Sequence, residues 1–152
     1  MSVAPANGLT LTAVPEGGIS QIFSGIISTA VAAGVAAANT QTTEDGALKT
    51  FLTTATSTMW KDKDIKKFDE LGFSVKAAAC YFGGLNINFR TEFAKVNVTI
   101  DFGDGGWKSR TYNCFRIAEG RQVSLLWPVN EQTWAASSED CKFSQSPTLY
   151  QC

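Results

Sequence analysis

Between Ile19 and Ala38 apolar residues return every three or four positions, at Ile19, Phe23, Ile26, Ile27, Ala30, Val31, Gly34, Val35 and Ala38, with no charged residue among them. That spacing puts them on one face of a helix. Ala30, Gly34 and Ala38, four apart, form a stripe of small residues along which another backbone can come close. Residues 1–18, rich in Gly, Pro, Ser and Thr, read as an extended arm leading to this helix. Thr42 and Asp45 mark a second helix start, with acidic residues placed where they complement the helix dipole. Leu48, Phe51, Leu52, Ala55 and Met59 supply its apolar face, which Ile65, Phe68 and Leu71 continue as far as Gly72, as one bent helix or two short ones.

After Gly72 the period drops from helical to alternating, and Val, Ile, Phe and Tyr take over. Phe73 to Phe82 reads as a strand, Gly83-Gly84 as a tight turn, and Leu85, Ile87 and Phe89 as one face of the next strand, with Asn86, Asn88 and Arg90 on the other. The clearest strand alternates Val96, Val98, Ile100 and Phe102 with Lys95, Asn97, Thr99 and Asp101. Gly103-Asp104-Gly105-Gly106 turns the chain back through Trp107 to Ile117, and Gln122 to Trp127 forms a last strand that Pro128 ends. Short links between these strands predict an antiparallel meander. Helices first and strands afterwards define a single α+β domain: a helical layer, residues 19–72, packed on one face of an antiparallel sheet of about four or five strands, residues 73–127. Residues 128–152, rich in Ser, Gln and Asn, read as an irregular tail.

The four cysteines sharpen this picture. Cys80, Cys114, Cys141 and Cys152 are widely spaced, and the chain has no histidine, so zinc ligation in close pairs is disfavoured and two disulfides are expected. All of them fall in the sheet and tail, with three pairings open. Disulfides imply an oxidising compartment, hence a secreted protein. Residues 1–16 carry no basic n-region, so the chain reads as a mature form. Asn97-Val98-Thr99 is an acceptor pattern for N-glycosylation.

Charge and chemistry narrow the function classes. Thirteen Lys and Arg against fourteen Asp and Glu leave a net charge of -1, which gives no field to hold nucleic acid. The absence of histidine removes the commonest general base, the Ser-His-Asp triad and His-based metal sites together. No cofactor or metal is expected. The glycine-rich run before Trp107 lacks the Lys placement of a phosphate-binding loop and leads into a strand where such a loop leads into a helix. It reads instead as a hairpin tip displaying Asp104 and Trp107, with Lys108, Arg110 and Tyr112 next along the strand.

An aromatic ring beside short polar side chains suits a sugar, whose C–H face stacks on the ring while its hydroxyls take directional hydrogen bonds. The expected function is therefore non-enzymatic carbohydrate binding, lectin-like, in defence or at a cell surface. The expected partner is a glycan or glycoprotein, bound through Asp101, Asp104, Trp107, Lys108, Arg110, Tyr112, Asn86 and Asn88. Two alternatives stand beside it. One is a membrane-active, cytolysin-like toxin using the apolar helix 19–38, which is long enough to cross a bilayer but poor in the residues that bring a helix to lipid. The other is a histidine-free hydrolase built on Asp101 and Asp104, with Glu92 nearby. The small-residue stripe and exposed strand edges also permit a homodimer.

Overall fold

Where the sequence period is strong, the elements follow it closely. The computed structural model describes residues 9–15, 20–66, 74–87, 93–126, 129–145 and 148–152. Its elements are β1 Thr10–Pro15, α1 Gln21–Ala38, α2 Glu44–Lys61, β2 Val75–Tyr81, β3 Leu85–Ile87, β4 Phe93–Asp101, β5 Trp107–Ala118, β6 Gln122–Leu125, β7 Trp134–Ser138, β8 Lys142–Gln145 and β9 Thr148–Gln151. The fold is α+β, with N-terminal helices on an antiparallel sheet and two disulfides, as the sequence implies.

Each helix begins on a side-chain cap. The Ser20 hydroxyl accepts from the Phe23 N–H at 3.3 Å, and the Thr43 hydroxyl from the Gly46 N–H at 3.0 Å. The second cap is one residue beyond the Thr42 expected, and α2 ends at Lys61, well short of Gly72. Residues 67–73, including Phe68 and Leu71, lie outside the described residues. Ala30, Gly34 and Ala38 are all buried, and Gly34 lies directly against Phe51 of α2, so the small-residue stripe receives that helix.

The main sheet has the order β1-β4-β5-β2-β7 and a second sheet the order β3-β6-β9-β8. Among the described strands only β4–β5 and β8–β9 join consecutive neighbours, so the expected meander gives way to crossovers. Gly83, at φ 150°, stands where the chain leaves β2, and β3 then pairs with β6 in the second sheet instead of folding back on β2. The arm is extended as expected, but it is also a sheet member: Thr10 to Pro15 pair with Asp101 to Val96. The tail is not irregular. β7 extends the main sheet beside β2, and β8 and β9 form a hairpin in the second sheet. These strands are short and polar, so their pairing comes from neighbouring strand edges that leave backbone groups to be satisfied.

Three layers result. The helices cover one face of the main sheet through Leu11, Val96, Val98, Ile100 and Tyr112 and the pair Cys80–Cys114. On the opposite face, Ala77, Ala79, Tyr81, Phe115 and Ile117 meet Val123, Leu125 and Tyr150 of the second sheet. Trp134 closes this inner layer, edge-on to Tyr81 at 5.9 Å and to Tyr150 at 5.2 Å.

The edge strand β1 is held by a residue with no distinctive sequence signal. The Asn39 side chain accepts from the Leu11 N–H at 2.8 Å and donates to the Leu11 carbonyl at 2.9 Å, the contacts that a further strand would make. Asn39→Ala is expected to cost about 1–3 kcal/mol, because the Leu11 groups lose their partner. Denaturant titration against wild type measures it.

Candidate functional site

Alternation along β5 divides the expected site between two faces. Lys108, Arg110 and Tyr112 point to the helical side. The Lys108 Nζ lies 3.1 Å from the Glu44 carboxylate at the start of α2, with the Arg110 guanidinium 4.0 Å from the same group. Arg110 also lies over the Phe82 ring at 5.0 Å. Tyr112 is fully buried and donates to the Gln132 carbonyl at 2.7 Å. These three side chains tie β5 to α2 and to the turn before β7.

Trp107 is on the other side, 67% exposed at the start of β5. The register assembles a polar surface around it from three strands. One row is Thr10, Asp101 and Trp107; the next is Thr12, Thr99 and Ser109; a third is Val14, Asn97 and Thr111. Every one of these positions is exposed or half-exposed. The second sheet covers Phe115 and Ile117 farther along β5, and it leaves this half of the face open. The Asn97 amide oxygen accepts from the Thr111 hydroxyl at 2.7 Å, which fixes two members of the array. The sequence pattern of β4 singled out Asn97 and Thr99, but the contributions of Thr10, Thr12, Ser109 and Thr111 depend on the pairing of β1 and β5 with that strand.

Asp101 and Asp104 shape the hairpin. Their side-chain oxygens accept from the N–H groups of Gly103 and Gly106, each at 2.8 Å, and Gly103 and Gly105 adopt φ of 80° and 95°. Such contacts two residues on are Asx turns. Both aspartates are exposed. Asn86 is in β3 of the second sheet, paired with Ser124 and apart from the Trp107 surface in the topology. Asn88, Arg90 and Glu92 lie outside the described residues. Among the described residues, no three His, Cys, Asp or Glu side chains gather as a metal site.

Apart from the flat face around Trp107, an open groove of about 520 Å³ lies between β1 and α1 among the described residues, lined by Thr12, Ala13, Pro15, Ser28, Val31 and Ala32 among others. Its lining carries no charge, amide or aromatic ring that would orient a ligand.

Burial raises the Tyr112 phenol above its ordinary value, a shift that Arg110 partly offsets, and burial also raises Tyr150. The folded state therefore holds these protons more tightly than the unfolded chain does. The stability this confers is complete below the ordinary phenol pKa of about 10 and is lost as pH rises through that value toward the folded ones. Denaturation midpoints are expected to hold up to about pH 9 and to fall by about pH 11, with tyrosinate absorbance reporting the ionisation.

Comparison of the chain with protein-family models, with curated proteins and with solved structures found no match.

Proposed function

We propose that this chain is a secreted, non-enzymatic recognition protein that binds carbohydrate on the open face around Trp107. The observation that carries the reading is the exposure of Trp107, 67%, on a surface otherwise made largely of hydroxyls and amides. A large ring left in water on a rigid strand invites a partner with one apolar face and many hydroxyls. The β4–β5 pairing supplies rigidity, so little ordering cost falls on binding. The two disulfides are compatible with an extracellular setting.

A glycan array followed by calorimetry on the hits tests it. Trp107→Ala, with its circular dichroism unchanged, is expected to lose roughly tenfold or more in affinity. Unchanged affinity in that variant removes the site. Asn97 lies within this face, so a glycan attached there would occupy it, and the binding protein is expected to be the one left unmodified at Asn97.

The membrane-active reading has one observation in its favour. α1 is uncharged throughout, with mean hydropathy 1.6, and only 39% of it is buried. Insertion would have to strip Gly34 and its neighbours from α2. Dye release from liposomes at neutral pH separates the two readings, since the carbohydrate reading expects none.

A further inference from the structure

We infer that the ligand of the Trp107 face is a neutral, unbranched, β-1,4-linked polysaccharide laid across several strands, not a terminal sugar held in a pocket; this rests on the carbohydrate reading above. The first reason is shape. Sites that capture a small molecule are concave and bury most of its surface. The face around Trp107 has no wall among the described residues: Thr12, Ser109 and Thr111 are all exposed, and Asn97 and Thr99 are half-exposed. A single sugar there meets one ring or one row of hydroxyls, too little to offset the cost of immobilising it. A chain that spans the rows collects many such contacts within one molecule.

The second reason is dimension and regularity. Side chains on one face repeat about every 6.6–6.8 Å along a strand, and neighbouring strands lie about 4.8 Å apart. The three strands β1, β4 and β5 thus offer a platform about 10 Å wide. A β-1,4-linked chain extends as a flat ribbon, so one of its rings can stack on Trp107 while others present hydroxyls to Thr99, Ser109 and Thr12. A coiled α-linked chain turns its rings away from a flat surface.

The third reason is charge. Among the described residues on this face the ionic groups are Lys95 and Asp101, of opposite sign and at opposite ends of the β4 stretch. Nothing there selects an anionic polymer.

The test uses the whole disulfide-bonded protein, unmodified at Asn97, with β-1,4-linked glucose and N-acetylglucosamine oligomers of one to six units, an α-1,4-linked glucose hexamer and an anionic uronic-acid hexamer. Affinity for one of the β-linked series is expected to rise at least roughly tenfold from one unit to six. Two folded variants locate the chain. Trp107→Ala should weaken hexamer binding roughly tenfold, and so should Thr12→Arg, two strands away. A monosaccharide bound as tightly as its hexamer overturns the inference and leaves the carbohydrate reading standing. So does a Thr12→Arg variant that binds like wild type while Trp107→Ala does not, or a preference for the α-linked or anionic hexamer. Absence of binding to every carbohydrate overturns both.

Discussion

Replacing Gly34 with valine is expected to cost up to about 3 kcal/mol, whereas Gly25→Ala in the same helix is expected to add about 0.5–1 kcal/mol. The contrast follows from what a side chain would meet. A Cβ on Gly34 would lie 2.8 Å from Phe51 Cδ2 and 3.0 Å from the Phe51 carbonyl oxygen. The ring can turn a little, but the carbonyl belongs to α2 and cannot yield unless the helices part. Valine adds two methyl groups to that collision and is stiff at χ1. A Cβ on Gly25 meets nothing within 4 Å, because this residue is on the exposed side of α1. There alanine only reduces the freedom of the unfolded chain and favours the helix. Chemical denaturation of the two variants measures both, and equal shifts of one sign would contradict the close α1–α2 approach.

Removing the disulfides one at a time should give unequal losses. Cys80 and Cys114 are direct partners across β2 and β5, separated by 34 residues in sequence and fully buried against the helical layer. Cys141 and Cys152 are 11 apart and close the open end of the β8–β9 hairpin. Chain entropy predicts about 4 kcal/mol for the long loop and about 3 kcal/mol for the short one. Alanine at Cys80 and Cys114 also empties part of the core, which widens the gap. Against a domain stability of about 5–15 kcal/mol, the first loss leaves a marginal protein and the second a folded one. Urea titration of the two double variants gives the order. Under a mild reductant the half-exposed Cys141–Cys152 bridge is expected to open first, since its sulfurs are the more accessible to an attacking thiolate. Thiol labelling with peptide mapping detects it. The cysteine positions confine both bridges to residues 80–152, but the pairing separates their roles: Cys141–Cys152 ties the tail, while Cys80–Cys114 lies in the core shared with the helices.

Legibility in the sequence tracked the strength of the local signal. The uncharged run of α1, the alternation of β4 and the glycines after Asp101 each pointed to one structure. The apolar stripe on α2 was equally plain, though its end was not: Ile65 continues the pattern and is buried, yet the helix stops at Lys61. The strands of the tail carried little signal, because Ala135, Ser137 and Ser144 neither alternate nor favour strands by themselves. Of the candidate site, Trp107 and Asp101 share the open face, while Lys108 and Arg110 turn to Glu44 and Asp104 shapes the hairpin tip. Strand alternation alone separates Lys108 from Trp107; nothing local says which side will be covered.

The sequence by itself determined the placement of the two helices ahead of the strands after residue 72, the apolar faces, the β4–β5 hairpin, the small-residue stripe and the confinement of every cross-link to residues 80–152. Those features rest on backbone propensity and side-chain periodicity, which act over a few residues. Only the tertiary structure decided that β1 joins the main sheet, that β3 leaves it for a second sheet, which cysteines pair, and that the second sheet shields Phe115 while leaving Trp107 open. Each of these depends on which distant strand edge satisfies a given row of backbone groups, a competition that no local stretch of residues encodes.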